Sequence, residues 1–184
     1  MKHKFILFEG TDASGKTSLA KNMAHCIGGV YYYNPPEIIR SLRSYADGST
    51  PAIRFQYYLL GNYIASEEIK KLLKSTHVVC DWYIYSTVAY HSVLLNTTLE
   101  VPRLLLPDNI VFVSANWDEI EKRLRDREII SKYEEIQFLK KVYGQYECLF
   151  TSVSNVIKID STNKDPKKVV EKLIKHLKII DLPK

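Results

Sequence analysis

Gly10-Thr11-Asp12-Ala13-Ser14-Gly15-Lys16-Thr17 follows the apolar run Phe5-Ile6-Leu7-Phe8 and opens a helical pattern that runs from Lys16 to about Cys26. Every fixed position of GxxxxGK[ST] is filled, in the strand–loop–helix setting that the motif requires. In that setting the glycines let backbone N–H groups curl around phosphate oxygens, and the helix start adds partial positive charge. Lys16 reaches toward the β- and γ-phosphates and Thr17 offers a hydroxyl to Mg²⁺. The stretch predicts a nucleoside triphosphate site, with Gly10, Asp12, Ala13, Ser14, Gly15, Lys16, Thr17 and Ser18 around the donor.

Outward from this loop, apolar runs and helical patterns alternate. Gly28-Gly29 ends the first helix, and Val30–Tyr33 reads as a second strand closed by Asn34-Pro35-Pro36. Helical patterns follow over about Glu37–Tyr45 and Pro51–Lys74, separated by Asp47-Gly48-Ser49. His77–Cys80, Ile110–Val113 and Val156–Ile159 are three further strands, and a last amphipathic helix covers about Pro166–Leu177. Strands alternating with helices predict a parallel sheet covered on both faces. With no repeat, linker or composition break, the expectation is one α/β domain over residues 1–184.

Composition narrows the function classes. The 184 residues are 46% hydrophobic and 26% charged, a globular balance. A net charge of +5 suits an anionic ligand. It lacks the clustered basic residues of a nucleic-acid footprint, so no nucleic-acid partner is expected. Cys26, Cys80 and Cys148 are far apart, with no zinc-type spacing. The apolar run near the N-terminus is too short for a signal peptide. The uncharged stretch from Trp82 to Leu99 is interrupted by Ser86, Thr87, His91, Ser92 and Asn96, which favours a half-buried helix over a membrane span. A cytoplasmic protein without membrane contact is the expectation.

Two more groups carry chemistry. Asp81 ends an apolar strand, where P-loop enzymes place a Mg²⁺-associated carboxylate, although a strand-end Asp can also cap a helix. Glu9, Asn34, Ser114 and Asp160 lie at other strand ends and are expected to converge on the same cleft. Lys122-Arg123-Leu124-Arg125-Asp126-Arg127 sits on a predicted helix after strand four, with Arg123 and Arg127 on one face. Guanidinium groups there could neutralise charge on a transferring phosphoryl group. The same arginines could instead close i,i+4 pairs with Glu119 and Glu121.

These residues together resemble the thymidylate kinase family of P-loop nucleoside monophosphate kinases. Phe8–Thr17 is similar to its P-loop, and Asp81-Trp82-Tyr83-Ile84-Tyr85-Ser86-Thr87-Val88-Ala89-Tyr90 to its DRY…S…AY stretch. The arginine helix resembles its lid, placed here at about residues 116–132, followed by a helix over Tyr133–Tyr146. Asp160-Ser161-Thr162 is similar to its adenine loop. The resemblance implies a five-stranded parallel sheet in the order 2-3-1-4-5, helices on both faces, ATP and Mg²⁺, and commonly a homodimer. It implies a catalytic set of Lys16, Asp81, Arg123 and Arg127, with Thr17 and Asp81 at the metal and Arg123 also at ATP. Asp12 would bind the acceptor's 3′-hydroxyl, and Tyr90 would pack against its sugar.

Three departures bear on the acceptor. The family's Arg-Glu-Pro after strand two is Asn34-Pro35-Pro36 here, its DR arginine is Trp82, and the helix before strand three has no arginine within Gln56–Tyr63. Tyr57, Tyr58 or Tyr63 could stack on the base, and Arg40, Arg43 or Arg54 could meet the acceptor phosphate. The expected acceptor set is Asp12, Asn34, Arg40, Arg43, Tyr58, Asn62, Trp82 and Tyr90. The leading reading is ATP–deoxynucleoside monophosphate phosphotransfer, dTMP to dTDP. A deoxynucleoside kinase with Glu37 as displaced base, and a catalytically weak nucleotide-binding protein, are the alternatives. Lys16→Ala should leave the fold intact and abolish phosphoryl transfer, read as coupled ADP release from a variant with an unchanged circular dichroism spectrum.

Overall fold

The computed structural model describes residues 3–127 and 133–179. Five strands form one parallel sheet in the order β2-β3-β1-β4-β5, as expected. They are β1 (Phe5–Glu9), β2 (Val30–Tyr33), β3 (Val78–Asp81), β4 (Asn109–Ser114) and β5 (Val156–Asp160). The helices are α1 (Lys16–Cys26), α2 (Glu37–Arg40), α3 (Arg43–Gly48), α4 (Pro51–Leu72), α5 (Ile84–Leu95), α6 (Trp117–Arg125), α7 (Ile136–Leu149) and α8 (Pro166–Leu177). The period-two alternation of β1 divides the core. Phe5 and Leu7 face α4, α5 and α7 with Cys80, Ile110 and Phe112, whereas Ile6 and Phe8 face α1 and α8 with Val79, Val111 and Val113.

Local chemistry explains the helix boundaries. Thr50 caps α4 by accepting from the Ile53 N–H, with Pro51 in the first turn, and Asp165 and Pro166 do the same for α8. The expected helix over 37–45 is instead two short ones. The Leu42 N–H bonds the Ile39 carbonyl at 3.0 Å, a three-residue closure that breaks the helix and lets Arg43 turn toward Tyr33. The helix expected over 133–146 begins at Ile136, because Tyr133 and Glu134 turn into the cleft. Of the lid expected at 116–132, residues 128–132 lie outside the described residues.

Glu9 does not join the cleft. Its side chain is wholly buried, and its carboxylate accepts from the Tyr83 and Ser86 N–H groups at 3.2 Å each, from the Ser86 hydroxyl and from the Tyr146 hydroxyl at 3.1 Å. The helix start at α5 has no side-chain cap of its own, so Glu9 supplies one from β1. Burial pushes its carboxyl up to about 7 against these stabilising bonds.

A carboxyl raised in the native state makes folding take up a proton. That contribution is complete below the unfolded value near 4.5 and is lost as pH rises through about 7. The stability difference between pH 5 and pH 8, measured by urea unfolding, should therefore shift by up to about 3 kcal/mol in Glu9→Gln relative to the parent protein.

Candidate active site

The phosphate loop is built by two backbone constraints. Gly10 has φ +150°, and a Cβ there would lie 2.2 Å from the Val113 carbonyl oxygen of β4. Gly15 has φ +88°, and a Cβ would crowd the Arg123 guanidinium at 3.3 Å and the Ser161 hydroxyl at 3.4 Å. Neither position admits another side chain without displacement. Gly15 ends the loop without a side-chain cap, leaving the first N–H groups of α1 for an anion. The Ser14 hydroxyl is buried without a partner.

Two cavities meet at this loop. The larger, about 530 Å³, runs from Gly15, Lys16 and Thr17 past Asn34, Trp82 and Tyr90 to Arg43, Arg54, Tyr58 and His91. The smaller, about 270 Å³, is lined by Gly15, Ser18, Arg123, Ser161, Lys164 and Pro166. Ala13, Gly15 and Arg127 line both. Arg123 braces the loop, donating to the Ala13 carbonyl at 3.0 Å and the Ser161 hydroxyl at 3.2 Å, while Glu119 holds its Nε at 2.8 Å. Arg127 pairs with Glu134, a fellow lining residue of the larger cavity.

On the wall of the larger cavity, Tyr90 and Asp12 lock together. The Asp12 N–H donates to the phenol oxygen at 3.0 Å, and the phenol donates to Asp12 Oδ2 at 2.7 Å. Burial and this carboxylate raise the Tyr90 phenol well above its usual range, so it stays a neutral donor. Trp82 has φ +69°, a conformation that costs a bulky residue about 1–2 kcal/mol, and its indole packs on Tyr90.

The far end is a charged cluster. Arg54 donates from Nε to Asp47 at 2.9 Å and from Nη1 to His91 Nε2 at 3.1 Å. Its guanidinium lies 4.6 Å from the Tyr58 ring centroid and 4.0 Å from that of Tyr133. Because arginine only donates, His91 Nε2 is the acceptor and its proton sits on Nδ1, which bonds the Thr87 carbonyl at 2.7 Å. Burial and the Arg54 charge push His91 down to about 4, so the ring is neutral. Arg43 bonds the Tyr33 hydroxyl at 2.7 Å and Asp47 at 3.4 Å.

Several expected contacts move. Arg40 is not on the wall: it pairs with Glu37, whose side chain is 84% exposed, and reaches the Pro35 carbonyl at 3.4 Å. Glu37 is thereby removed as a base in the cleft. Asn62 is fully buried behind the wall, accepting from Asn34 Nδ2 at 2.7 Å and donating to the Thr87 hydroxyl at 2.8 Å. Tyr57 bonds the Ile39 carbonyl, and Tyr63 is exposed. Ser114 bonds the Ile159 carbonyl and Asp160 caps its own turn at Thr162, both outside the cavity lining.

Asp81 is buried behind the lining. Its Oδ2 accepts from the Tyr31 hydroxyl at 3.0 Å, while Oδ1 has no partner. No group of three His, Cys, Asp or Glu able to hold a metal occurs among the described residues. The unpartnered Asp81 oxygen and the Thr17 hydroxyl are hard oxygen donors of the kind that would hold Mg²⁺.

Asp47, Thr87, His91, Tyr133 and Glu134 are wall residues that sequence reasoning did not single out as site residues. Asp47 reads as a turn residue before Gly48. His91 directly follows Tyr90 in an uncharged helix, and a polar ring in such a helix was the available signal.

The chain is similar to known proteins over nearly its whole length. The thymidylate kinase family model matches residues 8–174. A protein of Methanocaldococcus jannaschii named probable thymidylate kinase is 34% identical over 188 residues, covering 96% of each chain. Among solved structures, the thymidylate kinase of Candida albicans superposes with a TM-score of 0.75 at 20% identity, over 97% of this chain and 93% of that one. The deoxyadenosine kinase of M. mycoides gives 0.74 at 15% identity, over 95% and 99%. Those two likenesses concern the fold.

Removing Asn62 should act on the scaffold, because it leaves the Asn34 amide N–H unpaired in a buried place and takes one donor from the Thr87 hydroxyl. Asn62→Ala should lower the unfolding free energy by about 1–3 kcal/mol, measured by chemical denaturation.

Proposed function

Since this chain belongs to the thymidylate kinase family, we propose that it moves the γ-phosphoryl group of ATP to a deoxynucleoside monophosphate, dTMP giving dTDP. The observation that carries this reading is the shared wall. A P-loop cavity and a larger cation-bearing cavity meet at Ala13, Gly15 and Arg127, with Lys16 on the larger side.

The adenine side of ATP is assigned to the smaller cavity by Ser161 and Pro166, with its phosphates over the open start of α1. The acceptor then fills the larger cavity. A monophosphate is already ionised and needs no general base, so the work is positioning and charge neutralisation. Lys16 and Arg127 would meet the transferring group, and Arg123 braces the phosphate loop next to Lys16. Mg²⁺, held by Thr17 and the Asp81 carboxylate, would neutralise charge on the donor phosphates. Within the described residues, α6 and the turn through Arg127 carry the arginines of the lid.

For the acceptor, Asp12 takes the 3′-hydroxyl, and the Tyr90 ring bonded to it leaves little space for a 2′-hydroxyl. Arg43 and Arg54 replace the cations lost at Asn34 and Trp82. Asn34 and the Tyr58 ring complete the contacts. The exposure of Glu37 weighs against an alcohol acceptor, which would need that base.

We also assign a homodimer. α4 leaves apolar side chains uncovered: Ile53, Leu60 and Tyr63 stand 43%, 50% and 46% exposed. A neighbouring set, Ile38, Leu42 and Tyr45, is also exposed on α2, α3 and the turn between them. Apolar surface of this kind marks protein contacts. A cytoplasmic setting accords with three unpaired cysteines. No helix among the described residues is long and apolar enough to cross a membrane.

A coupled ADP-release screen tests the assignment. dTMP should be the preferred acceptor, dUMP should exceed UMP in kcat/KM by tenfold or more, and Tyr90→Ala should narrow that gap, since about 1.4 kcal/mol corresponds to tenfold. Turnover of thymidine with none of dTMP would overturn the monophosphate reading.

A further inference from the structure

The ammonium of Lys16 has unusual company. It is nearly buried, and its one hydrogen bond goes to the Thr11 carbonyl at 3.1 Å. Its other close partner is the indole of Trp82, whose ring centroid lies 4.0 Å from Nζ. Among the described residues no carboxylate pairs with it. The indole is itself held on its other contacts. Its backbone N–H bonds the Phe8 carbonyl at 3.3 Å, the Cys80 thiol bonds its carbonyl at 3.2 Å, and the Tyr90 ring packs 5.2 Å away. The left-handed backbone at Trp82 is what aims the ring at the loop.

We infer that Trp82 is a positioning residue for the P-loop lysine, its π face holding the Lys16 ammonium at the junction of donor and acceptor until phosphate takes it over. The inference rests on the phosphotransfer reading above for its kinetic consequence, but the contact itself stands independently of any acceptor. The choice of residue follows from charge. A carboxylate at this point would hold the ammonium tightly and compete with the donor phosphates. An arginine would set a second cation beside the first. An aliphatic side chain would offer no attraction. An indole face attracts a desolvated cation moderately and gives way to a phosphate dianion.

The contact also joins both substrates' sites. Tyr90 carries the Trp82 indole on one side and bonds Asp12 on the other. Asp12 and Lys16, two positions of the P-loop, are therefore tied to the same pair of rings, Trp82 just before α5 and Tyr90 within it. A residue that occupies an acceptor-side position thus acts on the donor-side lysine.

Steady-state kinetics and tryptophan emission test this together. Trp82→Leu should lower kcat about tenfold, equivalent to about 1.4 kcal/mol, while the acceptor KM moves by less than about twofold. Trp82→Phe, which keeps an aromatic face, should recover kcat to within about threefold of the parent. Trp82→Arg should fall below Trp82→Leu. For emission, Trp117→Phe leaves Trp82 as the single tryptophan, because the sequence has two. In that background, ATP with Mg²⁺ should shift the Trp82 emission, and Lys16→Met should shift it in the free protein.

Three results would overturn the inference: unchanged kcat in Trp82→Leu, a rise in kcat in Trp82→Arg, or emission that is the same with Lys16 and with Met. Should Trp82→Leu fail to fold, the Phe and Arg variants and the emission of the unsubstituted Trp82 still decide. Failure to phosphorylate any mononucleotide would instead sink the phosphotransfer reading, and the emission result would stand apart from it.

Discussion

Buried between β1, α5 and α7, the Glu9 carboxylate is the contact on which the site's geometry rests. It sits one residue before the phosphate loop and takes two N–H groups from the start of α5 and a hydroxyl from α7. A buried carboxylate is costly unless its oxygens are satisfied, and here four donors satisfy them. The benefit is geometric. α5 starts at a fixed distance from Gly10, so Tyr90 meets Asp12 and Trp82 meets Lys16. Any loss of this cap would let the wall of the larger cavity drift relative to the loop.

A second constraint is the close approach of the loop to its neighbours. The Gly10 backbone packs against β4, and Gly15 is roofed by Arg123 and Ser161. The loop is thus shaped by elements far apart in sequence, while α1 offers its open start. Arg123 illustrates the division of labour among the arginines. Its donors are spent on the Ala13 carbonyl and on Ser161, and Arg127 is the one that lines both cavities.

At the far end of the larger cavity, charge is concentrated. Arg43 and Arg54 enter it from α3 and α4. Asp47 anchors both arginines, and neutral His91 accepts from Arg54. A protonated His91 would confront Arg54 with a like charge, so burial of the imidazole keeps this arrangement in place. The Trp82 indole beside Lys16 fits the same pattern, with cationic side chains held by aromatic faces as well as by carboxylates.

The sequence by itself determined the strands, their parallel sheet and the phosphate loop. Those features rest on local periodicity and on glycines whose backbone demands are readable in eight consecutive residues. Asp12, Lys16, Thr17 and Trp82 were placed for the same reason, since they lie in or beside strand ends that the alternation fixes. Only the tertiary structure decided what the long α2–α4 excursion does. Arg40 and Arg43 are three apart in an expected helix, yet the break at Leu42 sends Arg43 inward and leaves Arg40 with Glu37. Glu9 looked like a cleft residue because it ends a strand, and Asn62 because it lies in the Gln56–Tyr63 stretch of the helix before β3. Burial turned both into supports, and burial depends on packing between segments far apart in the chain. The pairing of Lys16 with Trp82 is of the same kind. Neither residue's neighbours announce it, because it is produced by the fixed start of α5 against the loop.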